Sequence, residues 1–324
     1  MGVPRSGTTW ASHVLRSAPR TEVVLEPDNP QVDPYAYLVR AKGAGATGED
    51  DINARGPALR PGDRNPLYHR LWTIAFAGGW THGGSDHPAV KAALRLRALG
   101  LKPSLPRPAR IALNHLAGFV SARPGTDPGI DTVVVKTVWG TFSLEWLAAE
   151  FAPTVVVRNR HPFNVTSGWL DRGWVGAAAS SHPAIEARWK GTAVWPLPDD
   201  ELAGTAWAVC ARAAMLLETA DRHPEWVVWD HESACLDPEA DFRATFERIG
   251  VGWDAGVEAA IAGHQGEGEG YRTVRVAGEE AGRWRTRFSA AQLDVIRPVV
   301  EAFAAECPAA ERAWSTSLAV ADGA

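Results

Sequence analysis

Apolar and polar positions alternate along the chain in a way that predicts helices and strands in turn. Residues 8–18 place Trp10, Val14 and Leu15 on one side at helical spacing and predict a helix. Residues 21–26 (TEVVLE) read as a short strand. Residues 41–66 are rich in Gly, Ala, Asp, Arg and Pro without any period, which is the pattern of a loop. Helices are predicted over 68–78 and 108–122, while 79–107 give no clear signal. The centre is plainer. The same run, TVVV, occurs at 132–135 and 154–157, as expected of strands buried on both faces. Residues 142–151 between the two runs are helical, and a further helix opens at Pro162 and reaches Leu170. A long helix is predicted over 201–221 and a strand over 226–229. A helix over 237–249 opens at Asp237-Pro238 and stops at Gly250. Strand–helix–strand–helix order with short links predicts an α/β fold, an open parallel sheet with helices on both faces. No repeat or linker divides the chain, so residues 1–324 read as a single domain.

Composition narrows the function classes. The 324 residues carry 33 Lys and Arg against 38 Asp and Glu, a net charge of −5, which argues against a nucleic-acid-binding surface. A small anionic ligand stays open, because local basic groups decide that. The three cysteines, Cys210, Cys235 and Cys307, are far apart and form no CxxC pair. A disulfide framework and a structural zinc site are therefore not expected, and a reducing cytoplasm fits. No run approaches the ~18 apolar residues of a membrane span, and residues 1–5 contain no apolar signal segment. His82 and His87 lack the spacing and further ligands of a metal site, so no metal is expected.

Residues 2–10, GVPRSGTTW, carry the most chemistry. A Gly-rich turn entering a helix presents unpaired N–H groups and the positive end of the helix dipole, a cradle for phosphate. Gly2 and Gly7 stand at the glycine positions of the nucleoside-triphosphate loop, but Thr8 occupies the place of its lysine, and the basic residue is Arg5 within the turn. Ordinary Mg-dependent hydrolysis of ATP or GTP is disfavoured. The segment PRSGTTW resembles the 5′-phosphosulfate loop of sulfotransferases that use 3′-phosphoadenylyl sulfate (PAPS). The arginine form is similar to the tyrosylprotein and many bacterial sulfotransferases.

A second match follows at 133–170. The family pattern is a strand, KT, a helix, a second strand, then an Arg and a Ser that hold the 3′-phosphate. Arg158, read as directly following the strand, matches the Arg best, and Ser167 the Ser. Thr166 sits at the commoner spacing, and Arg160 is an alternative for the Arg. A guanidinium fork, a helix N-terminus and a hydroxyl suit a dianion. Lys136 matches the lysine of the KTH triplet of cytosolic members, but Val138 stands where their catalytic His would be. Glu26 follows Arg5 by 21 residues, the position of the base in tyrosylprotein sulfotransferases. At a strand end it would face the ligand crevice. Asp28 and His115 are weaker candidates for the same task. Residues 226–238 resemble a YEDL-type element with His231-Glu232 in place of Tyr-Glu, chiefly structural, with His231 near the adenine. Residues 282–289 (GRWRTRFS) resemble a GDWKxxFT segment. The RKG triplet that precedes it in cytosolic members is missing; Arg275 and Gly278 are loose substitutes, and Arg283 could serve too, although it reads rather as a solvated loop arginine.

The resemblance implies a PAPS-dependent sulfotransferase with a P-loop-type α/β fold. The acceptor would be a small molecule, glycan or lipid bearing a hydroxyl or amine, with residues 35–130 and 171–200 shaping its site. It further implies Arg5, Glu26 and Lys136 as catalytic residues. Arg5, Ser6, Gly7, Thr8, Thr9, Trp10, Arg158 and Ser167 would bind the donor. The alternatives are a P-loop nucleotide kinase or a nucleotide-binding protein without activity. Such a loop is normally delivered by a buried strand, and only Met1 precedes Gly2. The expectation is therefore an upstream start and a first strand outside this sequence.

Overall fold

The computed structural model describes residues 1–29, 36, 39, 56–78, 128–175, 182–264 and 277–322. It divides into two compact units. Met1–Pro19 and Ala152–Ala324 make up most of one; residues between Arg20 and Phe151 make up most of the other. The predicted helix at 108–122, together with His82, His87, His115 and Arg275, lies outside the described residues.

In the first unit, α1 (Thr8–Arg16) is followed after the unit's discontinuity by β3 (Val156–Asn159) and α4 (Pro162–Leu170). α5 (Pro183–Trp189) and α6 (Glu201–Asp221) come next, then β4 (Val227–Asp230) with α7 (His231–Leu236) directly after it. The remainder is helical: α8 (Pro238–Ile249), α9 (Ala255–Gly263), α10 (Ala277–Ala281), α11 (Trp284–Arg287), α12 (Ala290–Glu306) and α13 (Pro308–Asp322). β3 and β4 pair in parallel, Val156 opposite Val227 and Asn159 opposite Asp230. α6 is the centre of packing. Its N-cap Asp200 accepts from Ala203 N, and its alanines let α4, α12 and α13 approach closely. The rings of Trp189, Trp207 and Phe303 meet edge to face against it. α8 begins with Asp237 as N-cap and Pro238 in its first turn, and it ends at Gly250 in the left-handed region, as its sequence predicts.

The second unit holds β1 (Thr21–Leu25), α2 (Pro66–Phe76), β2 (Thr132–Lys136), a 3₁₀ turn over Gly140–Ser143, and α3 (Leu144–Phe151). β1 and β2 pair in parallel, Thr21 opposite Thr132 through Leu25 opposite Lys136. Asn65 caps α2 through Tyr68 N. Val24, Tyr68, Leu71, Trp72, Ile74, Trp146 and Leu147 form the core, with Val133 and Val135 packed against it.

The fold is thus helix-rich α/β with parallel strand pairs, and among the described residues the strands form two two-stranded pairs. Two expectations change. β2 is half-buried from Thr132 to Val135 and only Lys136 is buried, so its valines cover one core and are not sealed on both faces. β3 starts two residues later than the apolar run and takes in Arg158 and Asn159. Both polar residues find tertiary partners: Asn159 Nδ2 donates to Asp230 and Ser317, and the Arg158 guanidinium lies 4.1 Å from the centre of the Trp229 ring.

Candidate functional site

The amino-terminal turn is tied to β3 at its first residues. The Met1 ammonium donates to Val156 O at 2.7 Å. Arg158 N donates to Met1 O at 2.7 Å, and Gly2 bridges Arg158 in parallel. The chain then turns sharply: Ser6 N donates to Val3 O, and Arg5 and Gly7 both adopt positive φ, 74° and 84°. Gly7 is the N-cap of α1 and offers no side chain to its first-turn N–H groups. That leaves a helix start suited to an anion. A Cβ on Gly7 would collide with the His231 ring, and one on Gly2 with Ser6 Oγ and the Arg158 carbonyl. Glycine is demanded at both positions by close approach, and at Gly7 by conformation as well. Ser6 is fully buried and its Oγ has no partner. Thr8 also turns inward toward Gly2, whereas Thr9 is exposed.

Arginines surround this turn. Arg5 lies along Gly168 of α4, where a Cβ would come within 3.1 Å of its Nε, and that Nε has no hydrogen-bond partner. Burial, with the charges of Arg160 and Arg172, lowers the Arg5 pKa; Glu280 and Asp171 partly offset this. Arg160 directly follows β3. It donates to Arg5 O at 3.2 Å and to the Glu280 carboxylate at 3.1 Å, so it clamps the turn. Arg158 is inside β3, not after it, which corrects the sequence expectation. It is buried, donates to His231 Nδ1 at 3.0 Å and stacks on Trp229, yet its Nε and Nη1 have no partner. Because the guanidinium is always a donor, His231 Nδ1 must accept and the ring is neutral. Burial, followed by the charges of Arg160 and Arg158, drives the His231 pKa well down, in agreement. Trp10 is buried edge to face against Phe242 and His231, so its ring is part of the packing around Arg158.

The start of α4 is filled from within. His161 caps it through Phe163 N, and the His161 N–H donates to both oxygens of Glu232, at 3.1 and 3.2 Å. Glu232 is completely buried; it also accepts from Asn164 Nδ2 at 2.9 Å and lies 4.0 Å from Arg160 Nε. A carboxylate thus already sits at the helix N-terminus expected to face the donor. Asn164 reaches onward to Ala281 O and accepts from Trp284 N, which fastens the GRW segment to α4. Ser167 and Thr166 are both buried on α4, and Thr166 Oγ1 has no partner.

The second unit carries its own charged cluster. Glu26 follows β1 with φ 49°, a left-handed conformation that disfavours a side chain. Its N–H donates to Lys136 O at 2.6 Å, extending the β1–β2 ladder, and its carboxylate forms a short ion pair with Lys136 Nζ. Asn29 Nδ2 donates to the other oxygen at 2.6 Å. Burial alone would raise the Glu26 pKa. The Lys136 charge, with hydrogen bonds from Lys136, Asn29 and Trp139, outweighs it and holds the carboxyl below its ordinary range. Asp28, two residues on, is buried and accepts from Thr137 Oγ1 at 2.7 Å. Burial pushes its pKa up to about 7 despite that bond.

The structure therefore brings Arg5, Ser6, Gly7, Thr8, Trp10 and Arg158 together in one unit, leaves Ser167 buried on α4 of that unit, and pairs Glu26 with Lys136 in the other. Sequence reasoning missed Glu232 as a polar centre, and missed Asn164 and Glu280. A single buried acid gives no periodic signal; the hint was the resemblance of His231-Glu232 to a structural YEDL-type element, which does not name its partners. No family model and no curated protein matches the sequence. Among solved structures, the sulfotransferase STF9 from Mycobacterium avium aligns over 93% of this chain and 75% of its own, at 13% identity and a TM-score of 0.39. Likeness at that level speaks to neither donor nor acceptor. No helix among the described residues is long and apolar enough to cross a membrane.

Proposed function

We propose that the chain is a sulfotransferase that moves a sulfuryl group from PAPS to a hydroxyl or amine. One observation carries the reading: the Pro4–Thr8 turn adjoins Arg158 of β3 and Arg160 directly after it within one unit, joined by Arg158 N to Met1 O and Arg160 to Arg5 O. A donor with phosphates at both ends requires two such grips side by side. The residues fit an anionic ligand. The Arg5 Nε, the Arg158 Nε and Nη1, Ser6 Oγ and Thr166 Oγ1 are buried polar atoms without partners. Such atoms are costly to leave unpaired unless a ligand satisfies them.

Bound PAPS supplies the sulfuryl group, whose bond to the 5′-phosphate oxygen breaks as the bond to the acceptor forms, leaving the 3′,5′-bisphosphate PAP. The turn and the first N–H groups of α1 hold the 5′-phosphate. Arg158 and Ser167 hold the 3′-phosphate, while Arg160 keeps the turn closed. Arg5 neutralises charge that develops on the leaving oxygen. Glu26, ionised at neutral pH, takes the acceptor proton. Glycan, lipid and small-molecule acceptors all present such a hydroxyl.

Thermal shift with PAP against ADP-Mg tests the reading. Stabilisation by PAP and little by ADP-Mg is expected. Stabilisation by ADP-Mg alone would favour a nucleotide kinase, and by neither a protein without donor binding.

A further inference from the structure

Two consecutive residues at the start of α7 face different parts of the first unit. The His231 ring fills the space beside the Cα of Gly7, lies edge to face with Trp10 at 5.8 Å, and accepts from Arg158. Glu232 turns to α4. Its Oε1 accepts from both His161 N and Asn164 Nδ2, at 3.1 and 2.9 Å, and stands nearest Arg160, while Oε2 shares the His161 N–H at 3.2 Å. Both side chains are buried, and α7 is itself fixed by Asp230, which accepts from Ser233 N at 2.9 Å. One short helix thus touches the turn with α1 on one side and the first turn of α4 on the other.

We propose that His231-Glu232 is a positioning element: it sets the spacing between the turn that takes one phosphate and the α4 hydroxyls that take the other. The inference rests on the donor reading above. Neither residue needs to touch the ligand. Their effect belongs to the relative placement of two grips, so it acts on ligands that use both at once. A ligand with two anionic ends gains from pre-set spacing; a ligand with one end does not.

Glu232 acts here as an acceptor of two N–H groups, a task the amide oxygen of glutamine can also perform from the Oε1 position. The experiment compares E232A with E232Q, measuring affinity for PAP, 5′-AMP and 3′-AMP by calorimetry. In E232A, PAP is expected to weaken by about tenfold or more while each monophosphate changes by less than about threefold, since one or two buried hydrogen bonds are lost. E232Q is expected to stay within about threefold of the parent for all three ligands. H231A, which also frees Arg158, should weaken PAP and 3′-AMP while 5′-AMP changes by less than about threefold, and H231N should restore both, because the Asn oxygen can accept from Arg158 where Nδ1 does. Equal weakening of all three ligands in E232A, or E232Q behaving like E232A, overturns the proposal.

Hydrogen–deuterium exchange of the ligand-free protein separates this from failure of the donor reading. E232A should speed exchange in peptides covering residues 161–166 and 8–12 and leave 205–217 of α6 unchanged; E232Q should not. If the parent binds none of the three nucleotides, the donor reading falls and the exchange result alone decides. Unchanged exchange at both segments then rejects the positioning role.

Discussion

The two units handle buried charge in opposite ways. In the first, cationic groups crowd the amino-terminal turn with fewer anions than they could use, so buried guanidinium N–H groups are left over on Arg5 and Arg158. In the second, Lys136 and Glu26 neutralise each other, and Asn29 and Thr137 complete the cluster. The first arrangement is the one that the proposed anionic donor would complete. The second satisfies its own charges by ion pair and hydrogen bond. A shared feature accompanies the contrast: Arg5 and Glu26 are two of the four non-glycine residues with positive φ among the described residues. Each sits where a strand or strand-like segment turns, and such conformations persist only where the surroundings enforce them.

The sharpest way to break the comparison is Glu26→Gln. If the second cluster is the proton acceptor, transfer of labelled sulfate from PAPS into an extract of the source organism should fall by about 10² to 10⁴-fold, the usual worth of a general base. The PAP affinity should stay within a few-fold, because the proposed donor grip is built from residues of the first unit. Full transfer activity would remove Glu26 from the reaction. Arg5→Ala comes next. Its loss should cost about 10² to 10³-fold in the same assay, the scale of one oxyanion donor, with the melting temperature nearly unchanged. A large fall in stability instead would make Arg5 a structural clamp of the turn. Arg158→Ala should act mainly on binding, weakening PAP by about 10 to 100-fold, as expected for one charge-assisted contact. Equal loss of PAP and 5′-AMP affinity would show that Arg158 supports the turn and does not hold the second phosphate.

How much of this was legible beforehand depended on the kind of signal. Gly7, Asp237 and Gly250 were legible because caps and turns follow from one or two residues. The opening of the α4 helix at Pro162 was legible as well. The end of β3 was not. Hydropathy stops a strand at its last valine, whereas Arg158 and Asn159 remain in it because Trp229, Asp230 and Ser317 receive them. The grouping of the turn with the second valine run was anticipated from motif order. The filling of the α4 N-terminus by Glu232 could not be, since it depends on a residue 71 positions away. The helices after Gly250 went unread; they pack on different partners, α9 on α1 and α8, α10 on α7, and α12 and α13 on α6.

The smallest expected effect also sharpens the contrast, through pH. Asp28 has its folded pKa raised to about 7 by burial, against about 3.9 for an unfolded Asp. Between those values the folded state keeps the proton that the unfolded state has released, so stability falls as pH rises through that window and levels off above it. The limit is about 1.4 kcal/mol per pH unit for one proton. Glu26 has the opposite sign. Its folded pKa is depressed, so its contribution is present above the unfolded value of about 4.3 and is lost as pH falls through the folded one. Asp28→Asn should therefore flatten the decline between about pH 4 and 7 without touching the acid limb. Thr137 Oγ1 can still donate to the amide oxygen, so the substitution keeps that contact. Urea unfolding at unit steps from pH 4 to 8 measures it. An unchanged slope in D28N would mean that Asp28 is ionised at neutral pH and that the second unit, like the first, carries unbalanced charge.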